Sequence, residues 1–250
     1  MNAEQNKTIL IVDTLAGNLF SIKAAIERLG FSTEILSAPP QLNKAPQENI
    51  STTYAGIVIP GQGRFGTVLK NLRANNWLDF LQQAREESLP MLGICVGMQI
   101  FFESSEEDNN VDGFSWFKGK TQALNFPKKP MVGWAKLDSQ IWSDSTVYFV
   151  NSYAIKQSEL SIANTTYGEQ FVAAIRQGSF TGVQFHPEKS AEAGAAIILE
   201  ALSYYSENIV PQRYDAKNSD SLSKRSQNSD SQSNGIQANA SQTNSAGDKQ

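Results

Sequence analysis

The apolar positions open with an unbroken run at residues 8–13, Thr-Ile-Leu-Ile-Val-Asp. A run of that kind ending in an acid is the pattern of a parallel strand covered on both faces. Leu19, Ile22, Ala25, Ile26 and Leu29 then recur at helical spacing, with Gly17 and Asn18 ahead of them and Gly30 as the stop. Residues 31–36 return as a second strand, 38–47 form a proline-rich loop, and the apolar 55–59 form a third buried strand. Val68, Leu69, Leu72, Trp77, Leu78, Phe80, Leu81 and Ala84 predict one or two amphipathic helices over 67–87. A short apolar run at 89–92 leads through one tight turn into a helix over 98–102, and the acidic stretch 103–108 reads as a solvated loop.

From 114 to 183 the pattern changes to short strands rich in β-branched and aromatic residues, among them 132–137, 146–150 and 171–176. A closing amphipathic helix is expected over 191–205, with Ala195, Ile198, Leu199 and Leu202 facing inward. The expected fold is therefore α/β: an open, mainly parallel sheet with flanking helices and an antiparallel extension, occupying residues 1–206. Beyond it the composition shifts. Residues 215–250 are almost entirely Ser, Asn, Gln, Asp, Lys, Ala and Gly, which cannot bury enough apolar surface to offset ordering entropy, so 207–250 is expected to be a disordered polar tail without a catalytic role.

Composition narrows the function classes. The net charge of -4 argues against nucleic acid or an anionic membrane as the main partner. One cysteine rules out an internal disulfide framework and fits a reducing compartment. The polar first residues lead straight into a strand, with no signal-peptide pattern, and no apolar run reaches the roughly 18 residues of a membrane helix. The expectation is a soluble, cytoplasmic protein without a metal or cofactor.

The candidate chemistry centres on Gly93-Ile94-Cys95-Val96-Gly97, placed between a strand and a helix. Glycine on both sides of a central nucleophile is the elbow pattern, because a strained central residue lets the neighbouring chain approach only where β-carbons are missing. A thiol at a first helical turn also meets unpaired N-H groups and the positive end of the helix dipole, which favour a negative sulfur. The same five residues also suit a buried structural cysteine packed between glycines. The chain holds a single histidine, His186, followed by Pro187 and Glu188. A cysteine nucleophile needs a base, and the base needs an acceptor on its other nitrogen. Glu188, two residues on in an extended chain, is placed to be that acceptor. Pro187 marks a strand end.

Pro60-Gly61-Gln62-Gly63 follows the third buried strand, where backbone N-H groups can point at a ligand. No Gly-Lys-Ser/Thr follows, which leaves an oxyanion-hole loop opposite the cysteine as the better reading over a phosphate loop. The elbow itself supplies one donor, the N-H of Val96.

On these motifs, together with 182–190 (Gly-Val-Gln-Phe-His-Pro-Glu-Lys-Ser), Tyr148-Phe149-Val150, and Val12-Asp13 with Gly17-Asn18-Leu19, the chain resembles the class I glutamine amidotransferases over residues 7–205. Within them it is most similar to the glutaminase subunits of imidazole glycerol phosphate synthase. The resemblance implies glutamine hydrolysis by Cys95, His186 and Glu188, with the second oxyanion donor from around Gln62 and Gly63. It also implies L-glutamine bound by Gln99, Glu107, Ser152 and Tyr153, and a heterodimer with a (β/α)8-barrel cyclase that meets Asn18, Trp134 and Lys189. The chain departs from the family pattern at Thr14-Leu15 (usually Tyr-Gly), Gln62 (commonly Val), Ala135 (usually Asn) and Asn151 (usually His). Two other uses of the same chemistry stay open at this point: a paralogous subunit feeding a different barrel in surface-polysaccharide sugar amidination, and a stand-alone γ-glutamyl cysteine hydrolase. A non-catalytic scaffold would retain the fold without needing Cys95.

Overall fold

The computed structural model describes residues 8–15, 18–41, 49–126 and 128–203. The expected tail, Gly17 and most of the proline-rich loop lie outside these residues.

Five parallel strands make up most of a seven-stranded sheet, from its β2 edge inward: β1 (Thr8–Val12), β2 (Ser32–Leu36), β3 (Gly56–Ile59), β4 (Met91–Ile94) and β12 (Phe180–Val183), side by side as β2-β1-β3-β4-β12. Every residue of β3, β4 and β12 is buried, as are four of the five in β1, which explains why 8–13, 55–59 and 89–92 read as apolar runs; β12, Phe-Thr-Gly-Val within the stretch expected to be antiparallel, instead pairs parallel with β4. Each Ile, Val or Leu so buried contributes about 1.5–3 kcal/mol of transfer free energy. β11 (Glu169–Gln177) and β10 (Ser161–Tyr167) pair antiparallel onto the β12 edge. They supply the antiparallel extension. The remaining strands make two smaller sheets, β5 (Phe102–Ser105), β6 (Phe117–Ala123) and β9 (Tyr153–Ile155) in one, and β7 (Met131–Lys136) with β8 (Thr146–Asn151) in the other.

Helix α1 (Leu19–Arg28) is capped by the Asn18 side chain, which accepts from the Ser21 N-H, and it packs against α6 (Ala191–Ser203). The segment 67–87 resolves into two helices, α3 (Phe65–Ala74) and α4 (Trp77–Glu86), separated by Asn76 at φ 59°. A short helix, α2 (Ile50–Thr53), precedes β3.

Three local expectations fail. The helix after Cys95, α5, spans only Val96–Gln99, and Phe102 already belongs to β5. Phe101 turns the chain by packing 4.4 Å from Trp116 and 4.8 Å from Phe180, centroid to centroid, a tertiary contact that ends the helix. The acidic stretch is accordingly strand up to Ser105, and only its second half is loop. In α6 the inner face is Gly194, Ile197, Ile198, Ala201 and Leu202, so Ala195 and Leu199 stand at its border. Gly194 sets that face: a β-carbon there would lie 1.9 Å from the Pro187 carbonyl oxygen, so the helix is pressed against the Pro187 turn along its smallest residue.

Candidate active site

The carboxyl ends of β3, β4 and β12 converge on one edge of the sheet, where ligands of open α/β sheets bind. Cys95 leaves β4 at φ 55°, ψ -114°, a conformation disfavoured for any residue with a side chain. The surroundings impose it. A β-carbon on Gly97 would sit 1.9 Å from the Ile59 carbonyl oxygen, one on Gly93 2.6 Å from the Gly97 oxygen, and one on Gly61 2.1 Å from the Gly97 nitrogen. The elbow therefore works only with glycine at all three positions.

His186 follows β12 and is fixed by its backbone: its N-H donates to the Tyr148 carbonyl at 2.8 Å, and its carbonyl accepts from the Ser190 hydroxyl at 2.6 Å. Pro187–Lys189 is a 3-10 turn, so Glu188 reaches the imidazole by a turn and not along an extended strand. Nδ1 lies 2.9 Å from Glu188 Oε1. Burial alone would lower the His186 pKa, but the hydrogen bond to Cys95, the one to Glu188 and their charges outweigh it and push it from 6.5 up to about 9. That direction favours the protonated imidazole between sulfur and carboxylate.

Cys95, only 6% exposed, opens onto a cleft of about 260 Å³, below the roughly 300–1,000 Å³ of drug-sized sites. Gln62, Gly63, Val96, Gln99, Glu107, Ser152, Tyr153, His186 and Lys189 all line it. Glu188 stands behind His186. Of the expected partner-facing residues, Asn18 donates its N-H to Gln62 Oε1 at 3.2 Å, while Trp134 and Lys189 both face Tyr148, with the Trp134 ring 5.8 Å and the Lys189 ammonium 5.9 Å from its ring centre. Trp134 is 55% exposed and Val132, on the same face of β7, 58%.

Two details differ from the simple site drawn from the sequence. The Val96 N-H donates to the Gly61 carbonyl at 3.3 Å, so this donor is occupied. Helix α5 is also too short to build a large dipole, since that dipole is a sum over aligned peptides. Side chains face the sulfur instead: His186, and Gln184, whose Nε2 donates to Sγ at 3.5 Å. Gln184 received no role from the sequence, although it precedes His186 by two positions as Glu188 follows it by two. Asn151, at a departure from the family pattern, donates to the Tyr153 carbonyl at 3.2 Å, the same oxygen that accepts from Gln99 at 3.2 Å. Glu107 has a structural tie as well, accepting the Phe65 N-H at 2.8 Å where α3 begins.

The family model "Glutamine amidotransferase class-I" matches residues 10–202. The chain belongs to the class I glutamine amidotransferases. Among similar members of this family is "Imidazole glycerol phosphate synthase subunit HisH" of Carboxydothermus hydrogenoformans, 37% identical over 76% of this chain and 96% of the relative. The protein of the same name from Moorella thermoacetica is 34% identical over 77% of this chain and 92% of the relative. A solved structure described as "Crystal structure of glutamine amidotransferase" superposes with a TM-score of 0.62 at 17% identity, covering 78% of this chain and 98% of that one, and shares its fold. The elbow and the sheet edge are thus framed by an amidotransferase fold.

Proposed function

We propose that the chain is the glutaminase subunit of an imidazole glycerol phosphate synthase. It hydrolyses L-glutamine to glutamate and ammonia and passes the ammonia to a (β/α)8-barrel cyclase, which forms imidazole glycerol phosphate and AICAR in cytoplasmic histidine biosynthesis. The observation that carries this reading is the meeting of Cys95, His186 and Glu188 at one sheet edge, in a chain about three quarters of which matches synthase subunits over nearly their whole length.

In this mechanism the Cys95 sulfur attacks the side-chain amide carbon of glutamine, and the carbonyl oxygen becomes an oxyanion. His186, already protonated at neutral pH, gives its proton to the leaving nitrogen, and ammonia departs as the C-N bond breaks. The neutral imidazole then takes a proton from water, which opens the thioester and releases glutamate. Glu188 keeps the imidazole oriented throughout. Stabilising the oxyanion needs the Val96 N-H freed from Gly61. Rotation of the Gly61-Gln62 peptide does this and points the Gln62 N-H the same way, and each such donor is worth about 3 kcal/mol.

Gln62 is tied to Asn18, and the cleft rim continues through Lys189 and Tyr148 to exposed Trp134, so a partner docked on this face touches the loop that must turn. This supports Asn18, Trp134 and Lys189 as partner contacts. It also accounts for a glutaminase that is slow until its partner is engaged. Nothing observed favours the polysaccharide paralogue or the stand-alone hydrolase.

The test is co-expression with the cyclase subunit of the same genome and supply of glutamine labelled with 15N in its amide. The label should appear in the imidazole product. Label released only as free ammonia, at a rate indifferent to the cyclase and its nucleotide, would overturn the proposal.

A further inference from the structure

We infer that Gln184 is a positioning residue that orients the Cys95 sulfur and links it to the glutamine-recognising Gln99; this rests on the glutaminase reading above. Gln184 is the first residue beyond β12, wholly buried, with its backbone N-H held by the Ala173 carbonyl at 2.8 Å. Its side-chain amide lies between two functional groups. At one end Oε1 accepts from Gln99 Nε2 at 2.8 Å, and at the other Nε2 donates to Cys95 Sγ at 3.5 Å.

The bond from Gln99 decides which end of the Gln184 amide faces sulfur. Turned over, the amide would set its NH2 against the Gln99 NH2 and its carbonyl against a sulfur that is negative when it attacks, two repulsive contacts in place of two hydrogen bonds. Gln99 is itself only 3% exposed and is held by the Tyr153 carbonyl, so its orientation does not drift. The chain therefore runs from the Tyr153 carbonyl through Gln99 and Gln184 to the nucleophile. A substrate contact at Gln99 bears on the same amide that aims the sulfur. A buried glutamine with both ends engaged in this way costs little to keep, but removing either partner leaves a buried polar group unsatisfied.

The experiment compares wild type, Gln184→Met, Gln184→Glu, Gln99→Met and the double Met variant as complexes with the cyclase subunit. The first readout is the rate at which methyl methanethiosulfonate, a small neutral reagent without an amide, modifies the sole cysteine at pH 7 in the absence of glutamine. Losing a hydrogen bond to a charged acceptor slows this by about tenfold or more in both Gln184 variants. Gln99→Met slows it severalfold although no substrate is present, and the double variant is no slower than Gln184→Met alone. The second readout is turnover: Gln184→Met lowers kcat about tenfold while KM for glutamine changes by less than about threefold.

Modification at the wild-type rate or faster in the Gln184 variants, with only a lowered Tm, would show a merely structural glutamine and overturn the inference. If both Gln184 variants fail to fold, Gln99→Met still decides, because an unchanged modification rate there breaks the proposed link. Wild type that releases no ammonia from glutamine would instead sink the glutaminase reading while leaving the Gln184-sulfur geometry to be judged by the thiol reagent.

Discussion

His186 Nδ1 lies 2.9 Å from Glu188 Oε1, and the link is made across a 3-10 turn that a single proline begins. The carboxylate, buried behind the ring, faces one nitrogen while Cys95 faces the other side of the site. This arrangement favours the charged imidazole, and it can be followed directly because the chain has one histidine.

The imidazole resonances should titrate with a midpoint near 9, well above the ordinary 6.5. In Cys95→Ala or Glu188→Gln the midpoint should fall, since burial then acts with less opposition. The linked stability has a definite sign. Because the folded pKa is raised, the stabilisation is complete below pH 6.5 and is lost as the pH rises through about 9. Melting curves of wild type and His186→Ala should therefore converge on the alkaline side. A midpoint at or below the ordinary value in wild type would contradict this.

Gly97→Ala should cost about 3 kcal/mol or more, because its β-carbon meets backbone on the neighbouring strand and nothing flexible can yield. Gly30→Ala is the control. Its β-carbon meets nothing within 4 Å, and the penalty is only the left-handed backbone at φ +89°, about 1–2 kcal/mol. Urea unfolding midpoints of the two variants would check the ordering.

Gln62→Met keeps the length of the side chain but removes the acceptor of the Asn18 N-H. One such hydrogen bond is worth about 1 kcal/mol, so partner-free ammonia release should rise about fivefold as the loop turns more freely. An unchanged basal rate would detach the loop from α1.

Glu107 and Asp108, after β5, both accept N-H groups at the start of α3, but only Glu107 also lines the cleft. Asp108 accepts the Gly66 N-H at 2.9 Å and Arg64 at 2.6 Å at the start of α3, so Asp108→Ala should cost about 1–2 kcal/mol and leave KM for glutamine unchanged. Glu107→Gln, in the cleft wall, should raise KM about tenfold or more if the carboxylate receives the α-ammonium group of glutamine. Steady-state kinetics with thermal melts separates the two.

Much of this was legible in the sequence because local and global signals agreed. The buried parallel strands announce themselves as apolar runs, and the elbow announces itself through Gly93 and Gly97, which no other residue can replace. The short α5 was not legible: Ile100, Phe101 and Phe102 are equally apolar in a helix or a buried strand, and only the distant Trp116 and Phe180 decide. Gln184 was hidden for a related reason. Its role depends on Gln99 and Cys95, 85 and 89 positions away, and a buried amide leaves no periodic trace. The state of the Val96 N-H depends on one peptide orientation, which composition and spacing do not encode.

Glutamine hydrolysis by this chain depends on the sulfur of Cys95. Ammonia release from glutamine by the cyclase complex, measured for wild type and Cys95→Ala at equal complex concentration, tests it most directly. Wild type should release ammonia steadily and the variant at least about 10³-fold more slowly, with the complex still intact. Release by Cys95→Ala within about tenfold of wild type would contradict it.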